Sequence, residues 1–419
     1  MLRENPGFRR LWWAQVISLT GDWFNTIVLS ALVSEYSNGS GLAVSLFLMA
    51  RFLPPLLFGP FAGVLVDRFD RQRILVYSNL IRTFVVLGFL FATTPDRLWI
   101  IYVLTLMQFT LSALFEPGQS AITPSLVPAH DLVVANTLAS VTWSVMLALG
   151  AIIGGVVAAL FGAGVALIID SITFAVAAYL IAGIRVEKFE ELVPDENTQN
   201  NTSLRDGLRY VAANPGTAVL LLIKGGSSLG NVDTLMTIFA TEIFILGTQG
   251  QLSLGILYSA FGVGALAGPL VLNRMNDGTI HKMRRLVVLA FVWIFIAWFI
   301  IGLAPSLVVL TLGIFLRAMG GSVNWTYSTI MIQKSVPNHY LGRVFALDLA
   351  VFQLATVISI VGHGSLIDLL GTDQIALVAY FTGGIALLPL LAWVVLLPRL
   401  ERMDAQRADA LDPVVSTGN

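Results

Sequence analysis

The stretch Gly63-Val64-Leu65-Val66-Asp67-Arg68-Phe69-Asp70-Arg71-Gln72-Arg73 sets five charges between two long apolar runs, residues 43–66 and 74–94. Each run is long enough to cross the hydrocarbon core of a bilayer, which takes about 20 helical residues. The stretch is therefore read as a tight, charged loop at a membrane face. Its three arginines select the face, because short loops rich in Lys and Arg stay cytoplasmic.

Composition leads to the same class. Of 419 residues, 56% are hydrophobic and 12% charged, whereas a typical soluble domain carries about 25% charged residues. The mean hydropathy of +0.82 excludes an ordinary soluble domain and predicts an all-α integral membrane protein. A net charge of −1 arises from two scattered, nearly cancelling sets, and no nucleic-acid partner is expected. The absence of cysteine removes disulfides, thiolate catalysis and Cys-based metal sites. The histidines at 130, 281, 339 and 363 are dispersed, so neither a metal site nor a cofactor is expected. Met1-Leu2-Arg3-Glu4-Asn5-Pro6 leads into a long apolar segment without a cleavage-site pattern, and no removable signal peptide is read.

Apolar runs of spanning length predict twelve transmembrane helices, near 12–34, 43–66, 74–94, 98–118, 137–160, 163–184, 216–243, 252–272, 286–303, 306–331, 343–367 and 374–397. With both termini inside, 19 of the 24 lysines and arginines fall in cytoplasmic segments and one, Arg97, in an outer loop. The other four, Arg51, Arg82, Lys224 and Arg317, lie within spans. This asymmetry supports the count, since omitting one helix would reverse part of it. The polar interruption 185–215 divides the chain into an N-terminal six-helix bundle, 1–184, and a C-terminal one, 216–400. The interruption itself is expected to be a cytoplasmic linker with a short amphipathic helix at its end, suited to two bundles that rock against each other. The polar tail, 401–419, is expected to be disordered.

Two sets of six spans, with a loop reading G-x-x-x-D-R-x-x-R between spans two and three, resemble the major facilitator superfamily of secondary transporters. The superfamily pattern has Gly at 63, Asp at 67, Arg at 68, Gly at 70 and basic residues at 71 and 72. Here Asp70 and Gln72 depart from it, and the extra positive charge stands at Arg73. Asp70 is expected to preserve the turn by tolerating the left-handed conformation. Three further stretches are similar to the branch holding macrolide-efflux-type and enterobactin-type exporters and a lysophospholipid transporter. They are Phe8-Arg9-Arg10-Leu11-Trp12 with Leu19-Thr20-Gly21-Asp22-Trp23; Glu116-Pro117-Gly118 with Pro124-Ser125-Leu126-Val127-Pro128 and Ala135-Asn136; and Gln333-Lys334-Ser335-Val336-Pro337 with Leu341-Gly342-Arg343-Val344.

The resemblance implies an inner gate at Gly63, Asp67, Arg68, Arg71 and Arg73, with Asp67 aimed at the amino end of span eleven near Gly342. A carboxylate there meets the positive end of the helix dipole, worth about 0.3–1 kcal/mol at a surface. Glu116, near the cytoplasmic end of span four, extends the gate if it reaches Arg68 or Arg71. Ionisable residues inside spans are expensive and usually functional. Asp22, roughly 15 Å along span one at 1.5 Å per residue, is the leading proton-coupling candidate, with Arg51 and Arg82 as partners in its bundle and Asp233 in span seven. A permanent ion pair that only fixes packing is the alternative. Trp23, Asn25, Asp170, Asn231, Arg317, Asn324 and Trp325 are candidates for a substrate cavity. Lys224, Asp233 and the Gly230-Asn231 pair mark an interruption in span seven, and interrupted helices tend to line cavities. Asp348 has the plainer reading of a favourable first-turn acid. Gly150, Gly154 and Gly155, with Gly262, Gly264 and Gly268, permit close helix contact.

Gly226-Ser227-Ser228-Leu229-Gly230 fits G-x-S-x-G formally, but it lies in a span and not at a strand-to-helix turn. No phosphate-binding loop is present, and no catalytic residues are expected. The expected function is proton-coupled efflux of a hydrophobic or amphipathic, drug-like small molecule by alternating access, in a monomer embedded in the cell membrane. The alternatives are a siderophore or lysophospholipid transporter of the same fold, or a membrane receptor or scaffold that does not transport.

Overall fold

The computed structural model describes residues 2–185 and 204–415, with the side chains at 59–64, 67, 116, 129, 133, 204, 338, 339 and 403–415 left undescribed. The chain forms fourteen α-helices among the described residues: α1 (Pro6–Tyr36), α2 (Gly41–Arg68), α3 (Arg71–Gly88), α4 (Leu98–Ile122), α5 (Leu132–Phe161), α6 (Ala163–Ala182), α7 (Leu204–Ala213), α8 (Pro215–Ser228), α9 (Asp233–Ile238), α10 (Gln251–Asn273), α11 (Ile280–Leu303), α12 (Leu307–Ser335), α13 (Asn338–Leu370) and α14 (Ile375–Val415). Eleven stretches among the described residues are long and apolar enough to cross a membrane. The expected span 216–243 is the exception, because α8 stops at Ser228 and α9, extended by a π-turn over Phe239–Ile243, begins at Asp233.

Local chemistry sets several helix starts. The Ser40 hydroxyl accepts from the Ala43 amide at 3.2 Å to open α2, and the Thr279 hydroxyl accepts from Lys282 at 3.2 Å to open α11. Such caps satisfy amides that have no partner within their own helix. Asp70 opens α3 in the same way, accepting from the Arg73 amide at 2.9 Å. Its backbone, at φ −57° and ψ 114°, is not left-handed, which corrects the expected turn: the residue in the glycine position serves as an N-cap instead.

Packing divides the helices into two groups. In the first, α1 packs on α5 and α6, α2 on α4, and α3 on α4 and α6. In the second, α12 packs on α8, α10 and α11, α13 on α8, and α14 on α11. The groups meet along two seams, α5 with α10 and α2 with α13. The amphipathic α7 lies on α13, where the Tyr210 and Tyr340 rings stack 4.4 Å apart. Residues 186–203 of the expected linker are outside the described residues.

The tail from Glu401, expected to be disordered, continues α14 to Val415. The sequence Glu401-Arg402-Met403-Asp404-Ala405-Gln406-Arg407-Ala408 consists largely of strong helix formers. Glu401 also pairs with Arg285 of α11 at 3.3 Å. Polarity alone misses this helical propensity.

Candidate functional site

The two groups are joined by hydrogen bonds toward the end opposite the 68–71 loop. The Asp368 carboxylate of α13 accepts from the Gly41 amide at 2.7 Å, the Ser40 hydroxyl at 2.9 Å and the Leu42 amide at 3.3 Å. One turn further in, the Ser45 hydroxyl donates to the Ile360 carbonyl at 2.7 Å. On α1, the Ser34 hydroxyl meets Thr241 Oγ1 at 2.7 Å and donates to Glu242 at 2.9 Å, and Gln249 donates to Glu35.

The glycine run forms the second seam. A Cβ at Gly155 would stand 2.7 Å from the Gln251 carbonyl, and one at Gly262 would stand 2.7 Å from the Ala148 amide. The backbones of α5 and α10 touch because these positions carry no side chain.

Beneath the seal lies a charged and polar cluster drawn from both groups. Gln108 of α4 donates to Asp22 Oδ1 at 3.3 Å and accepts from Asn25 at 3.4 Å. Arg82 and Arg51 act electrostatically on Asp22, and Asp22 acts on the fully buried Asp170. Arg82 is held between the rings of Phe174 and Phe115, 5.0 and 5.5 Å away, and Arg51 lies 5.0 Å over Phe109. Asp233 of α9 and Arg51 of α2 both act on the Tyr258 hydroxyl of α10, and the Tyr258 ring stands 5.3 Å from Trp23. Arg51 of α2 and Arg82 of α3 thus neighbour Asp22 of α1, and Asp233 of α9 is linked to Arg51 through Tyr258.

The break between α8 and α9 is bound from two other helices. Arg317 of α12 donates to the carbonyls of Gly230 and Ser227 at 2.6 and 3.0 Å, and Asn324 donates to the Ser227 hydroxyl at 2.9 Å. Ser359 of α13 donates to the Leu229 carbonyl at 2.8 Å and accepts from the Asn231 amide at 3.0 Å. Asn231 in turn donates to Asp233 at 2.9 Å.

A buried ion pair joins α8 to α13. Lys224, 5% exposed, bonds to Asp348, 1% exposed. The ammonium also sits 4.3 Å over the Trp325 ring, whose edge meets Phe352 at 5.0 Å. Asp348 is therefore one half of a buried ion pair and, well beyond the start of α13 at Asn338, not a first-turn acid.

With this geometry in view, residues 2–417 match the MFS-type family described as transmembrane secretion effector. The chain belongs to this family of the major facilitator superfamily. It is 26% identical over 404 residues to the MFS-type transporter YfiS of Bacillus subtilis (strain 168), covering 90% of this chain and 91% of that one. It is 26% identical over 379 residues to macrolide efflux protein A of Streptococcus pyogenes, at 88% and 91% coverage. It is 27% identical over 362 residues to the enterobactin exporter EntS of Escherichia coli O1:K1 / APEC, at 82% and 81%. Among solved structures, the nucleoside transporter NupG superposes with a TM-score of 0.72 at 11% identity, covering 93% and 98% of the two chains. A bacterial homologue of the iron transporter ferroportin, in an inward-facing state, gives 0.70 at 15% identity, covering 94% and 98%. These relatives are transporters, and this family member is not an enzyme.

Within this chain, the expected cavity residues are spread over several elements. Arg317 and Asn324 are buried against the helix break, Asn231 is bonded within it, and Asp170 is packed against Gly21. Trp23 and Asn25 border the cluster, and Trp325, 44% exposed, faces outward from its ion pair. At the 68–71 loop, Arg68 and Arg73 are exposed. Arg71 donates to the Ala121 carbonyl at 3.0 Å. Gly63, Asp67 and Glu116 fall outside the described side chains.

Sequence reasoning missed Gln108, Tyr258, Ser359 and Asp368. Gln108 carried a signal, an amide in the middle of Leu104-Thr105-Leu106-Met107-Gln108-Phe109. Asp368 carried another, an acid in the last turn of a helix, where the helix's own dipole disfavours it.

Proposed function

We propose that this chain exports a hydrophobic or amphipathic small molecule in exchange for protons, by alternating access between its two helical groups. The observation that carries the reading is the cluster in which Arg51 and Arg82 neighbour Asp22 and Tyr258 links Arg51 to Asp233, directly beneath the seam that closes one end. A carboxylate between mobile cations changes its proton affinity when they move. Asp22 is then the proton site, and Gln108 positions its carboxylate.

In this reading the 68–71 loop and both termini face the cytoplasm of the cell membrane, as the lysine and arginine asymmetry supports. The closed end is then the outer one. Asp67 and Arg68 form the latch that holds the inner end shut in the opposite state. The monomer is the working unit, 1–184 and 216–400 are its moving halves, and 185–215 joins them. Export of drug-like or siderophore-like amphipaths is the direction that the efflux relatives favour.

The test uses purified protein in proteoliposomes with an imposed pH gradient, offered a macrolide, a catecholate siderophore and a lysophosphatidylcholine separately. The expected result is gradient-dependent accumulation of at least one probe, abolished in Asp22→Asn. Equal transport without the gradient, or equal transport by Asp22→Asn, refutes proton coupling. No transport of any probe in either condition refutes the substrate class.

A further inference from the structure

We propose that Asp368 is a gating residue that latches the end opposite the 68–71 loop and must release for that end to open; this rests on the alternating-access reading above. The first four amides of any helix have no partner within it. In α2 they are divided between the two halves of the protein. Ser40 takes the Ala43 amide, while Asp368, from the other half, takes Gly41 and Leu42 together with the Ser40 hydroxyl.

The position of Asp368 supports a gating role over simple solvation. It lies in the last turn of α13, against the negative end of its own helix dipole, so its favourable surroundings come from the amino end of α2. The Asp368 side is exposed, so water can replace every donor it gives up. That makes the contact reversible, unlike a buried ion pair.

The backbones allow the carboxylate to reach. A Cβ at Gly364 would stand 2.4 Å from the Gly41 carbonyl and 2.3 Å from the Ser45 hydroxyl. Pairing of Gly41 with Gly364 and of Ser45 with Ile360 makes α2 and α13 antiparallel. Each end of this pair therefore sets one helix's amino end beside the other's carboxyl end. Asp368 occupies that arrangement at the closed end.

The test exploits the absence of cysteine. Ser30 is fully buried, its hydroxyl has no partner among the described residues, and it lies one turn inside Ser34. Ser30→Cys is therefore a sensor behind the seal. It is labelled with a membrane-impermeant maleimide in intact cells and in inverted vesicles, which covers either orientation.

From the Asp368 face, labelling should rise about fivefold in Asp368→Ala, the equivalent of about 1 kcal/mol, and less in Asp368→Asn. Gly364→Ala should act in the same direction by wedging the seam. Unchanged labelling in both Asp368 variants, with melting temperature retained, overturns the latch. A rise with Gly364→Ala alone also overturns it and leaves the glycine seam as the seal. Wild-type transport with unchanged labelling removes the latch and keeps the transport reading. Raised labelling in a chain that moves no substrate keeps the latch and removes that reading.

Discussion

Arg317 of α12 places one guanidinium nitrogen 2.6 Å from the Gly230 carbonyl and 3.0 Å from that of Ser227, so a buried cation closes the open carboxyl end of α8. Arg317→Ala leaves both carbonyls without this donor, and an unsatisfied buried polar group costs about 1–3 kcal/mol. The expected outcome is a clear fall in melting temperature in detergent together with lost transport. Arg317→Lys, with a charge but no fork, should retain part of both. Wild-type melting in Arg317→Ala would show that the break is held by Ser359 and Asn324 alone.

The Lys224–Asp348 pair lends itself to a double-mutant cycle. Removing one member strands the other charge in the protein interior, at a cost of about 3–5 kcal/mol. Lys224→Met and Asp348→Leu should each destabilise strongly, while the double variant recovers most of the loss because two apolar side chains pack well. Thermal unfolding measures all four corners. Additive losses would mean that the two groups are not coupled.

Gln72 departs from the superfamily pattern and caps the carboxyl end of α6. Its amide donates to the carbonyls of Ile181 and Ile184, each at 2.9 Å, and of Ala182 at 3.3 Å, gathering the carboxyl end of α6. Gln72→Leu should loosen that end by about 1–2 kcal/mol. Gln72→Arg, which restores the pattern's basic residue, should hold it, since arginine also carries several donors. Limited proteolysis between residues 182 and 204 provides the readout, and equal cleavage of the two variants would argue against a cap.

Asp277, in the loop between α10 and α11, accepts from the Thr279 hydroxyl at 2.6 Å and its amide at 2.9 Å. These bonds hold the Asp277 carboxyl below the usual carboxylate range. A depressed value means that the turn is fully supported above the ordinary carboxylate pKa, about 3.9, and loses support as pH falls through the lower, folded-state value. Protection of the Thr279 amide from hydrogen exchange, corrected for intrinsic rates, should fall between about pH 5 and pH 2 in the wild type. In Asp277→Asn that protection should not vary with pH; a wild-type-like fall there would assign the titration to another group.

The architecture was legible in sequence because hydrocarbon imposes a length and a polarity on every span. The Asp67–Arg73 loop, the apolar runs and the interruption at Gly230-Asn231 all announce themselves by composition. The glycines of α5 and α10 signalled close contact, though not that they would meet each other across the two halves. The functions of Arg317, Gln72 and Asp368 were illegible for one shared reason: each bonds to backbone groups, which have no residue identity to read. Arg317 therefore reads in the sequence only as a charge within a span, and Gln72 only as a departure from the pattern. Asp368 drew no attention, because its partners are the amides of Gly41 and Leu42, more than three hundred residues earlier.

The α5–α10 seam gives a prediction independent of any charge. A methyl at Gly155 would stand 2.7 Å from the Gln251 carbonyl and 3.1 Å from the Gly255 Cα, and one at Gly255 would stand 2.8 Å from the Ala151 carbonyl. Backbone atoms of two helices cannot yield as a flexible side chain can, so Gly155→Ala must separate α5 from α10. The same substitution favours isolated α5 by about 1 kcal/mol and leaves the propensity of α10 untouched, so the helices themselves should persist while the seam weakens. Circular dichroism should therefore remain unchanged as turnover in proteoliposomes falls several-fold, with Gly155→Val worse than Gly155→Ala. Full turnover in Gly155→Val would mean that transport does not require the two backbones to touch.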